Sequence, residues 1–454
     1  MTAATAQLGQ RIWLRDLSPA EREEWQRRLT VPDTAAERSA LYSPAWRKRH
    51  PAEPPVVRLW SEDGDTLLVP YGRVDSVPAC QYDNTDTGPW LNPEEAPEVR
   101  LRDYQAAAVE AMLAHRCGVL VAPTGSGKTA MMAALIAARR CRTIVLTHTR
   151  LLARQTQAAL ASLLERNVAL IGDGTSDRSD VTVALVQAMP PSTLRAMGPW
   201  GMMLLDEVHH GAAPTWRAIV DGVNARWRYG LTATPERADG GHRITELVLG
   251  PVRYTVTRDA VGAHLVPVDV EPRLTHCRYP DCATDPTDPQ AWRRLQDAIA
   301  ADVARNEIIA DMVEGEPLES RMLVLTDRIA HARALADLLP RRQPALLVGD
   351  LSMPARRAAM ARAAQGCPLT IGTLHLLGEG IDIPGWDTLL MASPIASRGP
   401  RLAQMVGRIA RPAPGKTTGV VVDLLDDHPM LMAAWRGRRA RYRVLGARLI
   451  GEPQ

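Results

Sequence analysis

Short apolar runs alternate along most of this chain with segments whose hydrophobic residues recur at helical spacing. From Val99 onward, helical patterns such as KTAMMAALIAA and RLLARQTQAALASLL separate the runs GVLVA, TIVLT, VTVALV, MMLLD and YGLTA. A second set begins near residue 305, where DRIAHARALADLL and PARRAAMARAA separate RMLVLT, ALLVG, LTIGTL, TLLMAS and GVVVDLL. Apolar strands that alternate with helices are typical of a parallel sheet covered by helices. The pattern therefore predicts an α/β fold with two such domains in tandem.

The remaining segments interrupt this alternation and set the predicted domain boundaries. Residues 1–97 mix the charged helical stretch SPAEREEWQRRL with the strand-like RLWSEDGDTLLVPYGRV and end in a turn-rich segment. They indicate a small N-terminal accessory domain with a linker. We predict the first α/β domain over 98–257 and the second over 305–454, which ends in a basic helix. Residues 258–304 carry Pro and Asp clusters and are predicted to form a linker or a small insertion.

Composition narrows the class of protein without naming it. The chain has 454 residues, of which 46% are hydrophobic and 23% charged, values that disfavour disordered and fibrous proteins. A net charge of +3 excludes a histone-like polyelectrolyte but permits a local basic groove. Only three of the 54 basic residues are lysine, namely Lys48, Lys128 and Lys416, and phenylalanine is absent. Any aromatic residue that stacks on a base must therefore be Trp or Tyr.

The sequence also bears on location. The six cysteines are scattered, and the N-terminal segment lacks the apolar stretch of about 7–15 residues that a secretory signal needs. No apolar run approaches the roughly 18 residues that span a bilayer. We therefore expect a cytoplasmic protein with reduced thiols and no membrane partner.

A glycine-rich turn between the strand GVLVA and an Ala-rich helix is the first candidate site. It reads Pro123-Thr124-Gly125-Ser126-Gly127-Lys128-Thr129, with Ala122 where the generic phosphate-loop pattern has glycine. In such a loop, backbone N–H groups and the helix N-terminus face the phosphates, the lysine reaches the outer phosphates, and the threonine binds Mg²⁺. The alternative is a surface turn with a solvated lysine. The rarity of lysine in this chain favours the phosphate loop and hence ATP with Mg²⁺.

Two further motifs follow in the order that nucleotide hydrolysis requires. Asp206 and Glu207 come directly after the strand MMLLD, where one carboxylate can hold Mg²⁺ and the other can orient and deprotonate the attacking water. Their alternative role is a helix N-cap. The segment QMVGRIAR is predicted to be a helix that carries Gln404, Arg408 and Arg411 on one face, with the two arginines aimed into the cleft between the domains. A solvated arginine pair is the alternative there.

Residues 98–428 together resemble the superfamily 2 helicases of the DEAD/DEAH type, most closely the XPB-like branch with its bacterial and phage members. The resemblance rests on LRDYQ, APTGSGKT, TIVLTHTRLLARQ, VTVALVQAM, DEVHH, GLTATPER, LVLTDRIAHA, GTLHLLGEGIDIP and QMVGRIAR. It implies two RecA-like domains that hydrolyse ATP between them.

The resemblance also implies a role for each matched residue. It assigns adenine reading to Arg102 and Gln105, further nucleotide contacts to Gly380 and Asp382, and coupling of hydrolysis to movement to His209, Thr232 and Thr234. Contacts with nucleic acid fall to Thr147, Arg150, Gln187, Thr326 and Thr373.

These features imply an ATP-dependent helicase or translocase with DNA as the favoured partner. One departure is Arg237-Ala238-Asp239, where XPB-type chains usually read Arg-Glu-Asp, so translocation without strand separation stays open. The same motifs also permit an ATP-switched nucleic-acid clamp or the motor subunit of a restriction-type complex. His276, Cys277 and Cys282 form a poor zinc signature. The C-terminal AWRGRRARYRVLGAR is either a phosphate-binding helix with stacking aromatics or a basic solvated face packed on the second domain.

Overall fold

A computed structural model describes the chain except for residues 1–3, 34–55, 78–79, 84, 86–96, 173–178, 189–191, 193–199, 209–213, 234–241, 263, 280–287, 289, 379–382, 396–400 and 452–454. Two compact units are present, Met1–Ala260 and Val261–Gln454. Each unit contains a seven-stranded sheet whose strand pairs are all parallel. The predicted α/β class with two tandem RecA-like sheets and an N-terminal region is confirmed.

The larger sheet of the first unit has the strand order β10-β11-β9-β12-β13-β8-β14. Its elements are α2 (Asp103–Leu113), β8 (Cys117–Val121), α3 (Lys128–Arg139), β9 (Thr143–Thr147), α4 (Arg150–Leu163), β10 (Ala169–Ile171), β11 (Val181–Leu185), β12 (Met202–Asp206), α5 (Pro214–Gly222), β13 (Trp227–Thr232), α6 (His242–Leu249), β14 (Val252–Thr255) and α7 (Arg258–Gly262). Every residue of β8, β9, β11 and β12 is buried. Burial on both faces explains why the sequence shows these strands as uninterrupted apolar runs.

The N-terminal region forms a second, five-stranded sheet with the order β5-β6-β2-β1-β7. Its elements are β1 (Thr5–Leu8), β2 (Ile12–Arg15), α1 (Pro19–Arg28), β3 (Thr30–Pro32), β4 (Val56–Arg58), β5 (Ser61–Asp63), β6 (Thr66–Val69), a 3₁₀ helix (Tyr71–Ser76) and β7 (Cys80–Asp83). This sheet shares one hydrophobic core with the larger sheet, as Leu14, Leu67, Met203 and Leu205 illustrate. The accessory region is therefore an integral part of the first unit and not the separate domain that its composition suggests.

The second unit repeats the parallel architecture with the order β17-β18-β16-β19-β20-β15-β21. Its elements are β15 (Val268–Arg278), α8 (Ala291–Ala301), α9 (Val303–Gly315), β16 (Met322–Thr326), α10 (Ile329–Leu338), β17 (Ala345–Leu347), α11 (Met353–Ala364), β18 (Leu369–Thr373), α12 (Leu374–Gly378), β19 (Thr388–Met391), α13 (Arg401–Ile409), β20 (Gly419–Asp427), α14 (Pro429–Val444) and β21 (Arg448–Leu449).

The segment interpreted as a linker contributes β15 to this sheet, where it pairs with β20. The unit therefore begins well before residue 305. Buried and partly exposed positions alternate at the start of β15, so its sequence VDVEP lacks the continuous apolar run that marks the interior strands. Among the described helices, none is both long and apolar enough to cross a membrane.

Candidate ATP site and nucleic-acid contacts

The phosphate loop joins the end of β8 to the start of α3 at Lys128. Gly125 and Gly127 adopt positive φ angles of 86° and 77°, and Gly127 is the N-cap of α3. A β-carbon on Gly127 would lie 2.4 Å from Nε2 of Gln105, so no larger residue fits without a shift of that side chain. The loop conformation leaves the helix N-terminus, with its unpaired N–H groups, available to an anion such as phosphate.

The LRDYQ segment supports this loop from the start of α2. The buried Gln105 amide donates to the backbone oxygen of Ser126 at 2.8 Å, and the Tyr104 hydroxyl donates to the same oxygen at 3.1 Å. The Gln105 Oε1 accepts from the backbone N–H of Arg102 at 2.9 Å, while the Arg102 side chain is exposed and donates to the Tyr104 hydroxyl. The sequence motifs did not single out Tyr104. The segment therefore lies against the phosphate loop, and the reading of adenine by Arg102 and Gln105 stays a prediction.

The acidic pair lies at the end of β12, close to Lys128. The Lys128 Nζ is 3.5 Å from Oε1 of Glu207, and both side chains are largely buried, with 14% and 16% of their surface exposed. Glu207 has a φ of 53°, a conformation that is rare for residues other than glycine, and its N–H donates to Oδ1 of Asp206 at 3.0 Å. Backbone strain of this kind is typical of functional sites. The structure thus brings Lys128 and Glu207 together, next to Asp206, while their tasks in nucleotide hydrolysis stay a prediction.

The oxygen donors next to the phosphate loop suit Mg²⁺ by their chemistry. Asp206 supplies a carboxylate, and Thr129, the second residue of α3, supplies a hydroxyl. Magnesium prefers one or two protein oxygens together with phosphate oxygens and water. These residues therefore fit the predicted ion.

The predicted coupling motif begins beside the phosphate loop. Thr232, the last residue of β13, is buried and pairs with Val121 in register, and its carbonyl accepts from the N–H of Ala122 at 2.8 Å. A movement of this strand end would therefore be transmitted directly to the loop. The other predicted coupling residues, His209 and Thr234, and the nucleotide contacts Gly380 and Asp382 lie outside the described residues.

The arginine motif departs from its predicted geometry. Helix α13 ends at Ile409, so Arg408 lies in its last turn and Arg411 lies beyond it. The N–H of Arg411 donates to the carbonyl of Arg408 at 3.2 Å, which marks a tight turn. The prediction that Gln404, Arg408 and Arg411 share one helical face was wrong for Arg411, because Pro412 disfavours helical geometry in the residue before it. Burial also lowers the pKa of Arg411.

Lys416, which the motifs did not single out, fastens the loop that follows. Its Nζ donates to the carbonyl of Trp386 and lies 3.4 Å from the carbonyl oxygen of Pro384. It therefore links the loop after the arginine motif to the last residue of GEGIDIP and to Trp386, which lies two residues further on. The scarcity of lysine in the chain was the signal that could have found it.

The predicted nucleic-acid contacts divide into accessible and buried residues. Arg150 is exposed at the first position of α4, and Gln187 is exposed just after β11. Because β9 and β11 are neighbours in register, both lie at the same edge of the sheet. The hydroxyl-bearing residues Thr147, Thr326 and Thr373 are instead buried at strand ends, with 0%, 0% and 5% of their surface exposed.

The side chains of these threonines are buried in this conformation, and their contact with nucleic acid stays a prediction. Thr326 donates its hydroxyl to the carbonyl of Arg328 at 3.0 Å, and it pairs in register with Thr373 across β16 and β18. The last residue of an interior strand still has both faces of the sheet covered, so its side chain packs inward. Contact at these positions would need backbone groups or a local opening.

Similarity to known proteins agrees with this geometry. Residues 98–237 match the family described as type III restriction enzyme, res subunit. The chain is 29% identical over 330 residues to the DNA 3'-5' helicase XPB of Kineococcus radiotolerans. The aligned region covers 69% of this chain and 57% of that protein. It is 31% identical over 157 residues to the DNA 3'-5' translocase XPB2 of Sulfurisphaera tokodaii. That aligned region covers 35% of this chain and 36% of that protein.

One solved structure extends the comparison of folds. S. cerevisiae Dbp5 bound to RNA and ADP BeF3 has a TM-score of 0.55 and 15% identity, over 77% of this chain and 90% of that chain. This likeness shows a shared fold. The chain spans only 36% and 57% of the two XPB relatives. The family match includes both the phosphate loop and Asp206–Glu207, and over 69% of its length the chain is similar to the DNA 3'-5' helicase XPB at 29% identity.

Proposed function

We propose that this chain is a cytoplasmic ATP hydrolase that moves along nucleic acid, preferentially DNA, as a helicase or translocase. The observation that carries the proposal is the Lys128–Glu207 contact of 3.5 Å beside a phosphate loop held in a positive-φ conformation. Phosphoryl transfer to water requires a cation that binds the phosphates and a carboxylate that orients the water. The ammonium of Lys128 and the carboxylate of Glu207 are suited to these two tasks and lie together. The names of the XPB relatives support the choice of DNA.

Each residue of the site has a defined task in this proposal. Lys128 and the N–H groups of residues 125–129 bind the outer phosphates of ATP. Thr129 and Asp206 hold Mg²⁺, which neutralises charge on the phosphates when it is bound. Glu207 orients the attacking water and accepts its proton, and Thr232 passes the change at the phosphates along β13.

The second unit contributes cations to the ATP site, and the first unit contributes contacts with the nucleic-acid backbone. Arg408 and Arg411, with Gln404, stabilise the negative charge that develops on the transferred phosphoryl group. Arg150 and Gln187 bind the phosphate backbone from the first unit, since their side chains are exposed at one edge of the sheet. Binding of this kind depends on salt and is independent of base sequence.

ATP turnover by the full chain, measured with and without DNA, tests the mechanism. We expect Lys128→Ala to lose nucleotide binding. Glu207→Gln should keep binding and lose turnover by about 100-fold or more, and Arg408→Ala should keep binding and lose turnover. Arg140→Asn is the matched control, because Arg140 is exposed at the far end of α3 in a left-handed conformation that asparagine tolerates. Turnover that survives both Lys128→Ala and Arg408→Ala would contradict the proposal.

Strand separation and translocation need separate assays. Displacement of a strand from forked DNA and RNA reports unwinding, whereas displacement of a third strand from a triplex reports translocation along a duplex. Activity in the triplex assay alone would identify a translocase and agree with Ala238 in place of the glutamate that XPB-type chains carry. ATP-dependent DNA binding without turnover would identify an ATP-switched clamp.

A further inference from the structure

Arginine residues outside the predicted motifs of the second unit lie on helix α14 and around an open pocket. On α14 the buried Arg438 donates to both carboxylate oxygens of Asp423, at 2.9 and 2.8 Å. Trp435 and Tyr442 on the same helix are 5% and 0% exposed, so their rings belong to the core and no base can stack on them in this conformation. The inner face of α14 is therefore used for packing, whereas most residues of the pocket are exposed or partly exposed.

The pocket has a volume of about 410 Å³ and is formed largely by segments that precede two strands. Its lining residues include Leu318, Arg341, Arg342, Gln343, Arg362 and Gln365. Residues 341–343 come just before β17, and residues 365–368 come just before β18, its parallel neighbour. The pocket therefore lies at the edge of the sheet where these strands begin. Thr326 and Thr373, the predicted nucleic-acid contacts of this unit, end the parallel strands β16 and β18 and lie at the opposite edge.

The residues that line the pocket, all of which the structure describes, include arginines but no acidic residue. Arg342 is 8% exposed and is used within the protein, because its Nη2 donates to the carbonyl of Glu314 at 2.8 Å and its Nε lies 3.3 Å from a carboxylate oxygen of the same residue. Arg362 is exposed and uses one guanidinium nitrogen, which donates to the carbonyl of Gln343 at 2.6 Å. Arg341 is exposed and makes no hydrogen bond or ion pair with the part of the chain that the structure describes. Arg341 and the remaining donors of Arg362 can therefore bind an anion.

A further arginine lies next to the wall of the pocket at Gly366. This glycine has a φ of 99°, in the left-handed region that favours glycine. A β-carbon on Gly366 would lie 3.0 Å from Nη2 of Arg321, so the guanidinium of Arg321 is adjacent to this wall. The missing side chain thus leaves room for another positive charge close to the pocket.

The uncharged lining residues favour a peptide as the ligand over a phosphate group. Leu318 is 64% exposed, and Gln343 and Gln365 are exposed residues whose amides can both donate and accept hydrogen bonds. Arginine forks bind carboxylates, amides suit the main chain of a peptide, and a leucine contacts an apolar side chain. A single exposed leucine is ordinary, but its place beside arginines matches a segment that is both acidic and apolar. A phosphate backbone would use the arginines and leave Leu318 in water.

We propose that this pocket binds an acidic segment of a partner protein in which carboxylates alternate with apolar side chains. Arg341 and Arg362 bind the carboxylates, and Leu318 contacts an apolar side chain of the segment. Exposed ion pairs contribute little individually, so the affinity depends on several contacts together and falls as salt is added. The inference goes beyond the proposed function, since it assigns a site for a protein partner at the sheet edge opposite to Thr326 and Thr373.

Binding of a short fluorescent peptide that alternates glutamate with leucine tests the pocket. Fluorescence anisotropy at low salt gives its affinity for the full chain, for the natural sequence and for three variants: Arg341→Gln, Leu318→Ala, and Arg341→Gln combined with Arg362→Gln. We expect each single variant to bind about threefold more weakly and the double variant about tenfold more weakly, because each substitution removes one contact. Arg341 makes no bond within the described part of the chain, so its substitution should not disturb the fold.

Arg357→Gln is the matched control. Arg357 is exposed on α11, the helix that also carries Arg362, but it does not line the pocket, so its substitution should leave the peptide affinity unchanged. Thermal unfolding shows whether each variant is folded. An unchanged peptide affinity in the double variant, or an equal loss in Arg357→Gln, overturns the inference.

Sodium triphosphate and a short DNA duplex are tested as alternative ligands. If Leu318→Ala kept the full peptide affinity and the double variant lost triphosphate binding as far as peptide binding, the pocket would be a general anion site and the inference would be wrong. If the double variant bound DNA more weakly than Arg357→Gln does, the arginines would contact nucleic acid, which also overturns the inference. An unchanged DNA affinity together with the expected peptide losses supports it. Peptide binding does not require ATP turnover, so failure of the proposed function leaves this inference standing.

Discussion

Glu207 combines an unfavourable backbone conformation with a functional position. A left-handed conformation costs a residue with a β-carbon roughly 1–2 kcal/mol, and Glu207 adopts it at a φ of 53°. The hydrogen bond to Asp206 and the contact with Lys128 hold it there. The strain aims the carboxylate at the phosphate loop, so stability and catalysis make opposite demands on this residue.

Glu207→Gly should separate these two demands. Glycine relieves the backbone strain, which stabilises the folded chain. Its greater conformational freedom in the unfolded chain offsets part of that stabilisation. We expect the free energy of unfolding to stay equal or to rise by up to about 1 kcal/mol, while ATP turnover falls by about 100-fold or more. Chemical denaturation and a phosphate-release assay measure the two effects. Glu207→Gln keeps the strain and should lose turnover without any gain in stability; a glycine variant less stable than the glutamine variant would contradict the argument.

Lys416 predicts a dependence of stability on pH. Burial lowers the pKa of Lys416 from 10.5 to about 8; Arg411 also lowers it, and Asp387 opposes the shift. Between about pH 8 and 10.5 the unfolded chain therefore binds more protons at this residue than the folded chain. Stability must then rise with pH through that window by linkage. Unfolding of the natural sequence and of Lys416→Met is compared from pH 7 to pH 10. The natural sequence should gain stability relative to the variant above pH 8, and parallel curves would refute the assignment.

At the scale of elements, the phosphate loop depends on close contact between α2 and the start of α3. Gly127→Ala adds a β-carbon 2.4 Å from the Gln105 amide and also strains a backbone with a φ of 77°. We expect weaker ATP binding and lower stability. Gln105→Ala removes the steric contact but not the backbone strain. Gly127→Ala should therefore weaken ATP binding less in a Gln105→Ala background than in the natural sequence, but should still weaken it. Nucleotide titration of the natural sequence, the two single variants and the double variant gives a double-mutant cycle. If the two substitutions had additive effects on ATP affinity, the contact between residues 105 and 127 would be unimportant.

Elements with a strong local signal were predictable from the sequence. The strands Cys117–Val121, Thr143–Thr147 and Met202–Asp206 follow the apolar runs closely, because interior parallel strands are buried on both faces. The position of Asp206 and Glu207 at the end of a buried strand also followed from the sequence. The position of Arg411 did not, since the end of α13 depends on one proline. The burial of Thr147 and Thr326 depends on tertiary packing that no local pattern reports.

At the scale of the whole molecule, the N-terminal sheet is the part that the sequence predicted least well. Its strands are short and its charges mixed, so its composition resembles that of a separate domain. The contacts that join it to the larger sheet link residues far apart in the chain, as with Tyr71 and Arg226 or Arg116 and Asp83. Such long-range contacts leave no periodic signal in the sequence. The first unit is consequently larger than its motifs and includes residues that no motif contains.

Arg228 is the centre of this junction, on the strand that ends in Thr232, a predicted coupling residue. Arg228 is only 1% exposed. Its guanidinium donates to the carbonyls of Gln10 and Gly9 at 2.8 Å and to the carbonyl of Ala225 at 3.0 Å. The guanidinium also lies 3.8 Å from the centroid of the Tyr71 ring. Burial lowers the pKa of Arg228 to about 10, which still leaves it protonated at neutral pH. A charged donor thus satisfies carbonyls from both sheets at once.

Arg228→Met should therefore destabilise the first unit as a whole. The substitution keeps an unbranched apolar stem and leaves three carbonyls without their donor, at a cost of about 3 kcal/mol or more. Because the two sheets share a core, we expect the N-terminal sheet and the ATP site to unfold in one transition. Thermal denaturation with and without ATP measures this transition. Arg226→Met, on a half-buried arginine two residues earlier, is the control and should cost far less. If Arg228→Met released the N-terminal sheet to protease while ATP binding and the melting of the larger sheet stayed unchanged, the two sheets would be separate domains after all.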